Sequence, residues 1–457
     1  MPPESIVAAG HPETARAAAY ALSSGGNAFD AALAGWLAAC LAEPVLTSPG
    51  GGGFAMAAPV SGRLRLYDFF TQAPGTKNPA ARAYPLEADF GSIRQVFHLG
   101  AASMATPGCV AGLLSLHDDL GRLPRAECAA PARDLCRSGV RVTDHAARLL
   151  EVVTALYLSS EESSRLFKSM TSPDCCLGQG ETFHNPDFEA FLDMLIAEGT
   201  RWFYEGDVAR LSYPFASLSD WNSWIEPLRL MSLLRSEQGI ASLTPTERES
   251  LGKALKGTPH LRKATDTLFP EALSQVRSDG TTQLSIIDHE GNALSLTTSN
   301  GAGSGVIVPG TGFMLNNMLG EEDLQPGGLD SWKPGRRLAS MMAPLLAELA
   351  DGTRVATGSG GSNRIRSTLL QILRHLFERQ ASIEDAVAAP RLHWEDNQLH
   401  AEEPAASVLR ELKAFTVVEH TVPNLFFGGA HTVCRLPDGS LHGFGDPRRG
   451  GISLLVQ

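Results

Sequence analysis

Positively charged stretches are missing from this chain of 457 residues. It carries 38 Lys and Arg residues against 50 Asp and Glu residues, so its formal net charge is −12. This charge would repel a nucleic-acid backbone or an anionic membrane surface. We therefore expect neither nucleic acid nor a membrane as a partner.

Long apolar segments are missing as well. No window holds the roughly twenty apolar residues that a membrane-spanning helix needs. The N-terminal stretch lacks the basic start and the apolar centre of a secretory signal, because Glu13 and Arg16 interrupt its alanine-rich part. We expect a cytoplasmic protein.

Spacings typical of metal or nucleotide sites are also absent. The seven cysteines form no CxxC and no His-linked pattern, which favours reduced structural thiols and predicts no metal. Three Gly-rich segments, at 48–54, 300–312 and 358–364, match neither the P-loop nor the dinucleotide-binding pattern, so we expect no cofactor. Such turns can supply the paired N–H groups of an oxyanion hole, although ordinary tight turns explain each one taken alone.

The apolar spacing changes near residue 280. Before it, the sequence predicts a helix at about 13–22, a second from Asn27 or Asp30 to near Pro44, a strand at 64–70, and mainly helices over 110–280. From Thr281 the residues alternate in twos, turn at 289–292 and alternate again, which predicts a β-hairpin. Strands near 354–357 and 431–435 and helices near 367–377 and 405–414 are expected to follow.

Two adjacent threonines, Thr281 and Thr282, begin this hairpin directly after a Ser-Asp-Gly turn. Threonine is a common strand former, so a structural role is the default interpretation. The alternative is chemical, because Gly280 permits a strained backbone in which the Thr281 hydroxyl attacks the preceding carbonyl. Cleavage there would free the Thr281 amine as a general base for its own hydroxyl. The residues alone permit this chemistry without selecting it.

Motifs along nearly the whole chain resemble those of the γ-glutamyltransferase family. Three segments resemble motifs of the family's large subunit: GHPETARAAAYALSSGGNAFDAALAGWLAACLAEP, SPGGGGF and TPGCVAGL. Five later segments resemble motifs of the small subunit and follow the family's order: TTQLSIIDHEGNALSLT, GSGVIVPGTGFMLNN, RLASMMAP, ATGSGGSNRI and FGDPRRGG. The resemblance implies an α/β (α+β) fold, a four-layer αββα sandwich of the N-terminal-nucleophile hydrolase type. It also implies a self-cleaving precursor whose fragments, 1–280 and 281–457, form one folded heterodimer, and it leaves further homo-oligomers open.

The resemblance also implies roles for single residues. Self-cleavage falls between Gly280 and Thr281, and Thr281 becomes the nucleophile that forms an acyl ester. Ser299 assists its amine, and Gly360 and Gly361 supply the oxyanion hole. The implied reaction cleaves a γ-glutamyl, glutathione-like or related small-molecule amide, with water or an amine as the acceptor. The implied substrate-binding residues are Thr282, Asn300, Asn317, Glu321, Ser340 and Phe70.

Three substitutions depart from the family's pattern. Phe70 stands where the family has an arginine that clamps the glutamate carboxylate, and a phenyl ring cannot form that bidentate contact. Ala339 replaces the first of two serines, and Gln283 replaces a histidine. Arg94, on another loop, is a candidate replacement for the clamp. Two alternatives therefore stay open: a specialised acylase or amidase of the cephalosporin-acylase, capsule-depolymerase or oxamate-amidase kind, and an uncleaved, inactive binding homologue.

The other charged candidates are interpreted as non-catalytic. Arg448 and Arg449 near the C-terminus are expected to be surface or subunit-interface charges. His98 is expected to be a packed loop residue and His289 a solvent-facing turn residue, because neither belongs to a cluster spaced for metal ligation. The acidic run at 321–323 is either a solvated turn or a substrate-binding loop.

Overall fold

The computed structural model describes residues 4–89, 94–212, 280–321, 324–325, 328–395, 398–411 and 416–457. The helices expected beyond residue 212 lie outside the described residues, as do Glu322 and Asp323. The side chain of Arg94, the candidate replacement for the arginine clamp, lies outside them too.

Two antiparallel sheets form the centre of the fold. The strands are β1 (Ser5–Ala9), β2 (Gly52–Ala58), β3 (Arg65–Phe69), β4 (Tyr84–Asp89), β5 (Arg94–Leu99), β6 (Val140–Arg141), β7 (Thr182–Phe183), β8 (Thr281–Ile287), β9 (Ala293–Ser299), β10 (Leu345–Glu348), β11 (Arg354–Thr357), β12 (Ser359–Gly360), β13 (Leu392–Glu395), β14 (Gln398–Glu402), β15 (Val417–His420), β16 (Gly429–Arg435), β17 (Leu441–Gly445) and β18 (Ile452–Val456). The first sheet has the order β18-β1-β8-β9-β2-β3, and the second has the order β10-β11-β16-β12 with β17 beside β16. Strands β13 to β15 form a smaller sheet, and β4-β5 and β6-β7 form two-stranded sheets.

Helices cover the outer faces of both central sheets. The α-helices of the described residues are α1 (Pro12–Ser23), α2 (Ala28–Ala42), α3 (Cys109–Leu120), α4 (Arg125–Ser138), α5 (Asp144–Val152), α6 (Thr154–Tyr157), α7 (Glu161–Phe167), α8 (Asp187–Glu205), α9 (Asp207–Ser212), α10 (Arg364–Leu373), α11 (Ile383–Ala388) and α12 (Ala405–Glu411). Helices α1 and α2 pack on the first sheet, while α10 and α11 pack on the second. The expected four-layer αββα sandwich is confirmed.

The first two helices confirm the sequence prediction and show why small residues are needed there. In α2 every residue is buried, and the Asn27 side chain accepts N–H bonds from Phe29 and Asp30 while Asp30 bonds back to Asn27. This reciprocal capping fixes where the helix begins. Alanine and glycine along α2 let the helix lie close to β8, since a Cβ on Gly35 would come 2.8 Å from Leu284.

The hairpin of β8 and β9 also confirms the prediction. Thr281 pairs with Ser299 at its open end and Ile287 pairs with Ala293 at the turn. Because side chains alternate along a strand, one face of the hairpin points to α2 and the other points to the second sheet. Leu284 packs in the helix-side core and Ile287 in the inter-sheet core. The hairpin is therefore buried on both faces.

Among the described residues, Asp30, His117 and Cys128 form a buried group with metal-binding side-chain types, whose donor atoms lie within 4.8 Å of one another. The Asp30 Oδ1 atom already accepts the N–H groups of Arg122 and Leu123 at 2.9 and 3.0 Å, and it lies 3.1 Å from His117 Nε2. These contacts account for the group as a structural link between α2 and the chain after α3. Across the described ranges, no helix has the length and apolarity required to cross a membrane.

Candidate active site at the start of strand β8

The peptide bond between Gly280 and Thr281 is buried where β8 begins. Thr281 is 4% exposed and pairs with Ser299 of β9. Gly280 donates its N–H to the carbonyl oxygen of Gly301 at 3.0 Å. A Cβ added to Gly280 would lie 2.1 Å from the Gly301 oxygen and 2.2 Å from the Val45 oxygen. Only glycine fits between these two carbonyl groups.

The carbonyl oxygen of Gly280 accepts two hydrogen bonds. The hydroxyl of Ser299 donates to it at 2.5 Å, and the N–H of Asn300 donates at 3.3 Å. The Ser299 oxygen in turn accepts the N–H of Gly301 at 3.0 Å, which fixes its position. Donors on a carbonyl oxygen stabilise the negative charge that develops when its carbon is attacked. The Gly280 carbonyl is therefore polarised for attack.

Strand β12 brings Gly360 against the start of β8. A Cβ on Gly360 would lie 2.3 Å from the carbonyl oxygen of Thr281. Gly361 follows with a φ of +118°, which favours glycine. The pairing of Gly360 with Gly429 of β16 ties this turn to the second sheet. Two consecutive glycines next to the start of β8 have the composition of an oxyanion hole.

Thr282 lies on the opposite face of β8 from Thr281. Its hydroxyl donates to Glu43 Oε2 at 2.6 Å, and the Thr14 hydroxyl donates to Glu43 Oε1 at 2.6 Å. Burial raises the pKa of Glu43, although these two hydrogen bonds act against the rise. Glu43 holds the Thr282 hydroxyl on the helix side of the sheet, and the substrate-binding role of Thr282 stays a prediction.

Gln283 lies at the centre of a polar layer between the two sheets. Its Nε2 donates to the hydroxyls of Ser285 and Ser295, both at 2.9 Å, and its Oε1 accepts from Thr297 at 2.5 Å. The Ser295 hydroxyl continues to the carbonyl oxygen of Thr357 at 2.7 Å. Gln283 thus links β8 to the end of β11, immediately before the turn that carries Gly360.

Several buried polar atoms in the described part of the chain have no hydrogen-bond partner, and three of them lie near Gly280. These three are both polar atoms of the Asn300 carboxamide, which is 0% exposed, and Asn317 Nδ2. Glu321 reaches the same place, since its Oε1 lies 2.1 Å from the position of a Cβ on Gly301. An unsatisfied buried polar group costs about 1–3 kcal/mol, so such a concentration is typical of a binding site.

Most of the chain matches one known protein family. The model described as Gamma-glutamyltranspeptidase matches residues 14–213 and 243–456. The chain belongs to the gamma-glutamyltranspeptidase family.

Relatives cover nearly all of this family member. It is 27% identical to the glutathione hydrolase proenzyme of Pseudomonas aeruginosa, over 97% of this chain and 93% of that protein. It is 27% identical to the acylase ACY 1 proenzyme of a Pseudomonas species, over 99% and 93%. The cephalosporin acylase of Bacillus halodurans superposes with a TM-score of 0.72 at 19% identity, covering 99% of this chain and 95% of that one, so the two share a fold. The chain is therefore a hydrolase or transferase of the gamma-glutamyltranspeptidase type.

The clamp position of this gamma-glutamyltranspeptidase relative is apolar. Phe70 is 3% exposed and stacks on Phe54 with ring centroids 5.7 Å apart. Its cluster includes Met318 and Leu319, which lie in the turn between Asn317 and Glu321, together with Met341. Ser340, next to Met341, is half-buried and accepts the Met342 N–H at 3.2 Å. Phe70 and Ser340 therefore border one apolar cluster that adjoins the polar turn.

Arg448 and Arg449 are not surface charges, because both side chains are buried at 5% and 2% exposure, while the alternative of subunit-interface charges stays a prediction. Arg448 forms ion pairs with Glu402 at 2.5 Å and with Asp446 at 3.1 Å. The expectations for His98 and His289 are closer to the structure. His98 is half-buried in β5 with its Nδ1 3.0 Å from the Gly320 oxygen, and His289 lies in the hairpin turn.

Glu43 is the residue at this site that sequence reasoning missed. A glutamate at the end of an alanine-rich helix is usually exposed, and nothing local indicates that it is buried. The available signal was the Thr281-Thr282 pair, because alternation along a strand sends the second hydroxyl towards the helix layer, where a buried acceptor is required.

Proposed function

We propose that this gamma-glutamyltranspeptidase family member is an autoprocessed amidohydrolase or acyltransferase that acts through an ester on Thr281. The observation that carries the proposal is the Gly280 carbonyl, which receives the Ser299 hydroxyl at 2.5 Å directly before the first residue of β8. The Asn300 N–H already reaches this oxygen at 3.3 Å, so the Ser299 hydroxyl is a second donor to the same carbonyl.

Self-cleavage would proceed by an acyl shift from nitrogen to oxygen. The Thr281 hydroxyl oxygen attacks the Gly280 carbonyl carbon, the C–N bond breaks, and the nitrogen takes up the proton that the hydroxyl loses. Water then hydrolyses the ester between Gly280 and Thr281. One water molecule is consumed, Gly280 ends in a carboxylate, and Thr281 gains a free α-amine. The products are fragments 1–280 and 281–457, which remain together as a heterodimer.

Turnover would use the same hydroxyl on a small-molecule amide. The Thr281 amine, with an ordinary pKa near 8, accepts the hydroxyl proton while the oxygen attacks the amide carbon. The N–H groups of Gly360 and Gly361 stabilise the resulting oxyanion. The leaving amine departs with a proton, and water or a second amine then takes the acyl group from Thr281. Ser299, once the Gly280 carboxylate has left, is free to contact the Thr281 amine. None of these steps uses a metal or an organic cofactor.

The surroundings of Gly280 favour an acyl group with one polar end. Asn300, Asn317 and Glu321 offer amide and carboxylate groups to a substrate amine, as a γ-glutamyl or glutathione-like donor requires. At the clamp position, Phe70 and its cluster offer no cation to a carboxylate. This observation favours a second candidate, a specialised acylase or amidase whose donor carries a less polar acyl group. Ser340 would contact the donor from the same side as Phe70.

Maturation tests the core of the proposal. Parent protein purified from the expressing cells is expected to give two bands of about 30 and 19 kDa on a denaturing gel, from the mean residue mass of the chain. Thr281→Ala should give one full-length band, and Thr281→Ser should still be cut because it keeps a hydroxyl. Mass spectrometry should find Thr281 at the N-terminus of the smaller fragment. A Thr281→Ala protein that matures and turns over substrate like the parent overturns the proposal.

A donor panel separates the two candidate functions. The three donors are γ-glutamyl, glutaryl and unsubstituted pentanoyl amides of one chromogenic amine, each assayed with and without an acceptor dipeptide. Preference for the γ-glutamyl amide supports the first candidate, and preference for the pentanoyl amide supports the acylase. A mature two-chain protein inert towards all three donors contradicts both, and an uncut parent supports the inactive binding homologue. The expected cytoplasmic location is tested separately, by fractionating cells that express the full-length coding sequence.

A further inference from the structure

Arg449 is a buried cation next to the turn that carries Gly360 and Gly361. The turn that holds it, Pro447–Arg449, begins at Asp446, whose side chain accepts the Arg448 N–H at 3.0 Å. Asp446 also accepts the Ala430 N–H at 3.2 Å, and β16, which contains Ala430, pairs with β12. The position of Arg449 relative to the two glycines is therefore fixed by a buried polar network and not by a flexible chain end.

Distances place the guanidinium group against both glycines. Arg449 Nη1 lies 3.5 Å from the position of a Cβ on Gly360, and Nη2 lies 3.7 Å from that of a Cβ on Gly361. The same point on Gly360 is 2.3 Å from the carbonyl oxygen of Thr281. The aliphatic part of the side chain lies on Gly429, whose added Cβ would be 2.6 Å from Arg449 Cγ. The cation thus borders the start of β8 and the glycine turn together.

The charge of Arg449 is permanent, whereas two histidines beside it, His145 and His431, are neutral. A guanidinium does not lose its proton in proteins. Burial, reinforced by the charge of Arg449, lowers the pKa of His145 to about 3. Burial also lowers the pKa of His431 to about 4, and Arg449 acts in the same direction while Asp446 opposes it. At neutral pH both rings are uncharged, so neither adds a second positive charge beside the glycine turn.

We propose that Arg449 is a positioning residue whose buried positive charge strengthens the oxyanion hole formed by Gly360 and Gly361. This inference rests on the proposed function of those glycines. A fixed positive charge in a water-poor interior acts on the negative charge that develops in the transition state, and it needs no rearrangement when that charge appears. The uncharged ground-state amide gains little from it. Arg449 is therefore expected to affect kcat much more than KM.

The test compares Arg449→Met, Arg449→Lys and a surface control, Arg374→Met, in fully matured protein. Arg374 is exposed and pairs with Glu378 within one helical turn. Arg449→Met should lower kcat by about 10- to 100-fold, somewhat less than the loss of a direct oxyanion donor, with KM changed less than about twofold. Arg449→Lys, which keeps the charge, should recover most of the lost kcat. Arg374→Met should match the parent.

Inhibitor binding supplies a readout that simple loosening of the structure would not move. A boronic acid that carries the acyl group of the best donor forms an anionic tetrahedral adduct with the Thr281 hydroxyl, and the corresponding primary alcohol, which is uncharged, serves as the ground-state probe. Boronate affinity should fall by the same factor as kcat/KM in Arg449→Met, while the affinity for the alcohol stays within about twofold. Equal losses for both probes, unchanged kcat, or a Lys variant as weak as Met would each overturn the inference.

Failure of the variant to fold or mature is handled separately. If Arg449→Met gives one full-length band, the Lys variant and an Arg449→Gln variant provide the comparison, and they must rank in kcat as charged above uncharged. If the parent matures and is active but all three Arg449 variants equal it, only this inference fails. If Thr281→Ala retains turnover, the proposed function itself fails.

Discussion

Replacing Ser299 by alanine is expected to slow self-cleavage by about 10²- to 10³-fold, or about 2.7–4 kcal/mol, the usual effect of removing one oxyanion donor. The Ser299 hydroxyl is the shorter of the two hydrogen bonds to the Gly280 oxygen, at 2.5 Å against 3.3 Å for the Asn300 N–H. Alanine removes the first donor and leaves the second. We therefore expect slow cleavage and not complete arrest.

The assay follows freshly purified precursor over time by denaturing gel and intact mass. Ser299→Thr keeps a hydroxyl at the same position and should mature within about tenfold of the parent rate, while Thr281→Ala marks the rate without a nucleophile. The half-life of the Ser299→Ala precursor decides the outcome. Maturation of Ser299→Ala at the parent rate would refute the role of this hydroxyl in polarising the Gly280 carbonyl.

Three further outcomes are expected. Gly280→Ala should slow the appearance of two bands more than about tenfold, because its Cβ would lie 2.1 and 2.2 Å from two carbonyl oxygens and would displace the bond to be cut; parent-like maturation would contradict this. In the uncut Thr281→Ala background, Phe70→Ala should lower the free energy of unfolding in urea by about 3–5 kcal/mol, against about 1 for Phe70→Leu, and equal effects would contradict the packing of its ring. In the same background, Glu43→Gln should flatten the pH dependence of the free energy of unfolding. Because the pKa of Glu43 is raised in the folded protein, the unfolded chain releases a proton above about pH 4.5 that the folded chain retains. The stability of the parent therefore falls as the pH rises. Urea unfolding at pH 5 and pH 8 measures this, and parallel curves for the two proteins would exclude it.

Much of the fold was accessible from the sequence because its signals are local. Alternating residues and a turn over 281–299 predict the hairpin, and Asn27 and Asp30 predict the start of α2. The family motifs then supplied the four-layer arrangement. Neither periodicity nor motif gives the relation between distant segments, such as the carbonyl groups of Val45 and Gly301 that enclose Gly280.

The expected surface position of Arg448 and Arg449 was wrong for a physical reason. Two adjacent arginines near the end of a chain are ordinarily solvated, and the ion pairs with Glu402 and Asp446 offset the desolvation of Arg448. Glu402 is far from Arg448 in sequence, so this burial needed the structure. By contrast, the face of β8 on which Thr282 lies could be predicted, because the period of two in a strand places Thr281 and Thr282 on opposite faces of the sheet.

The order of strands in the first sheet means that the proposed cut before Thr281 would leave the sheet intact. Strand β8 lies between β1 and β9, and β9 lies between β8 and β2, so each product contributes strands that the other needs for its main-chain hydrogen bonds. Breaking one covalent link creates two new chain ends without exposing a sheet edge. Separation of the products would require breaking the first sheet at three strand pairs, β18-β1, β1-β8 and β9-β2. Dilution alone should therefore never release them, and fragments produced from separate genes should assemble only if they fold together.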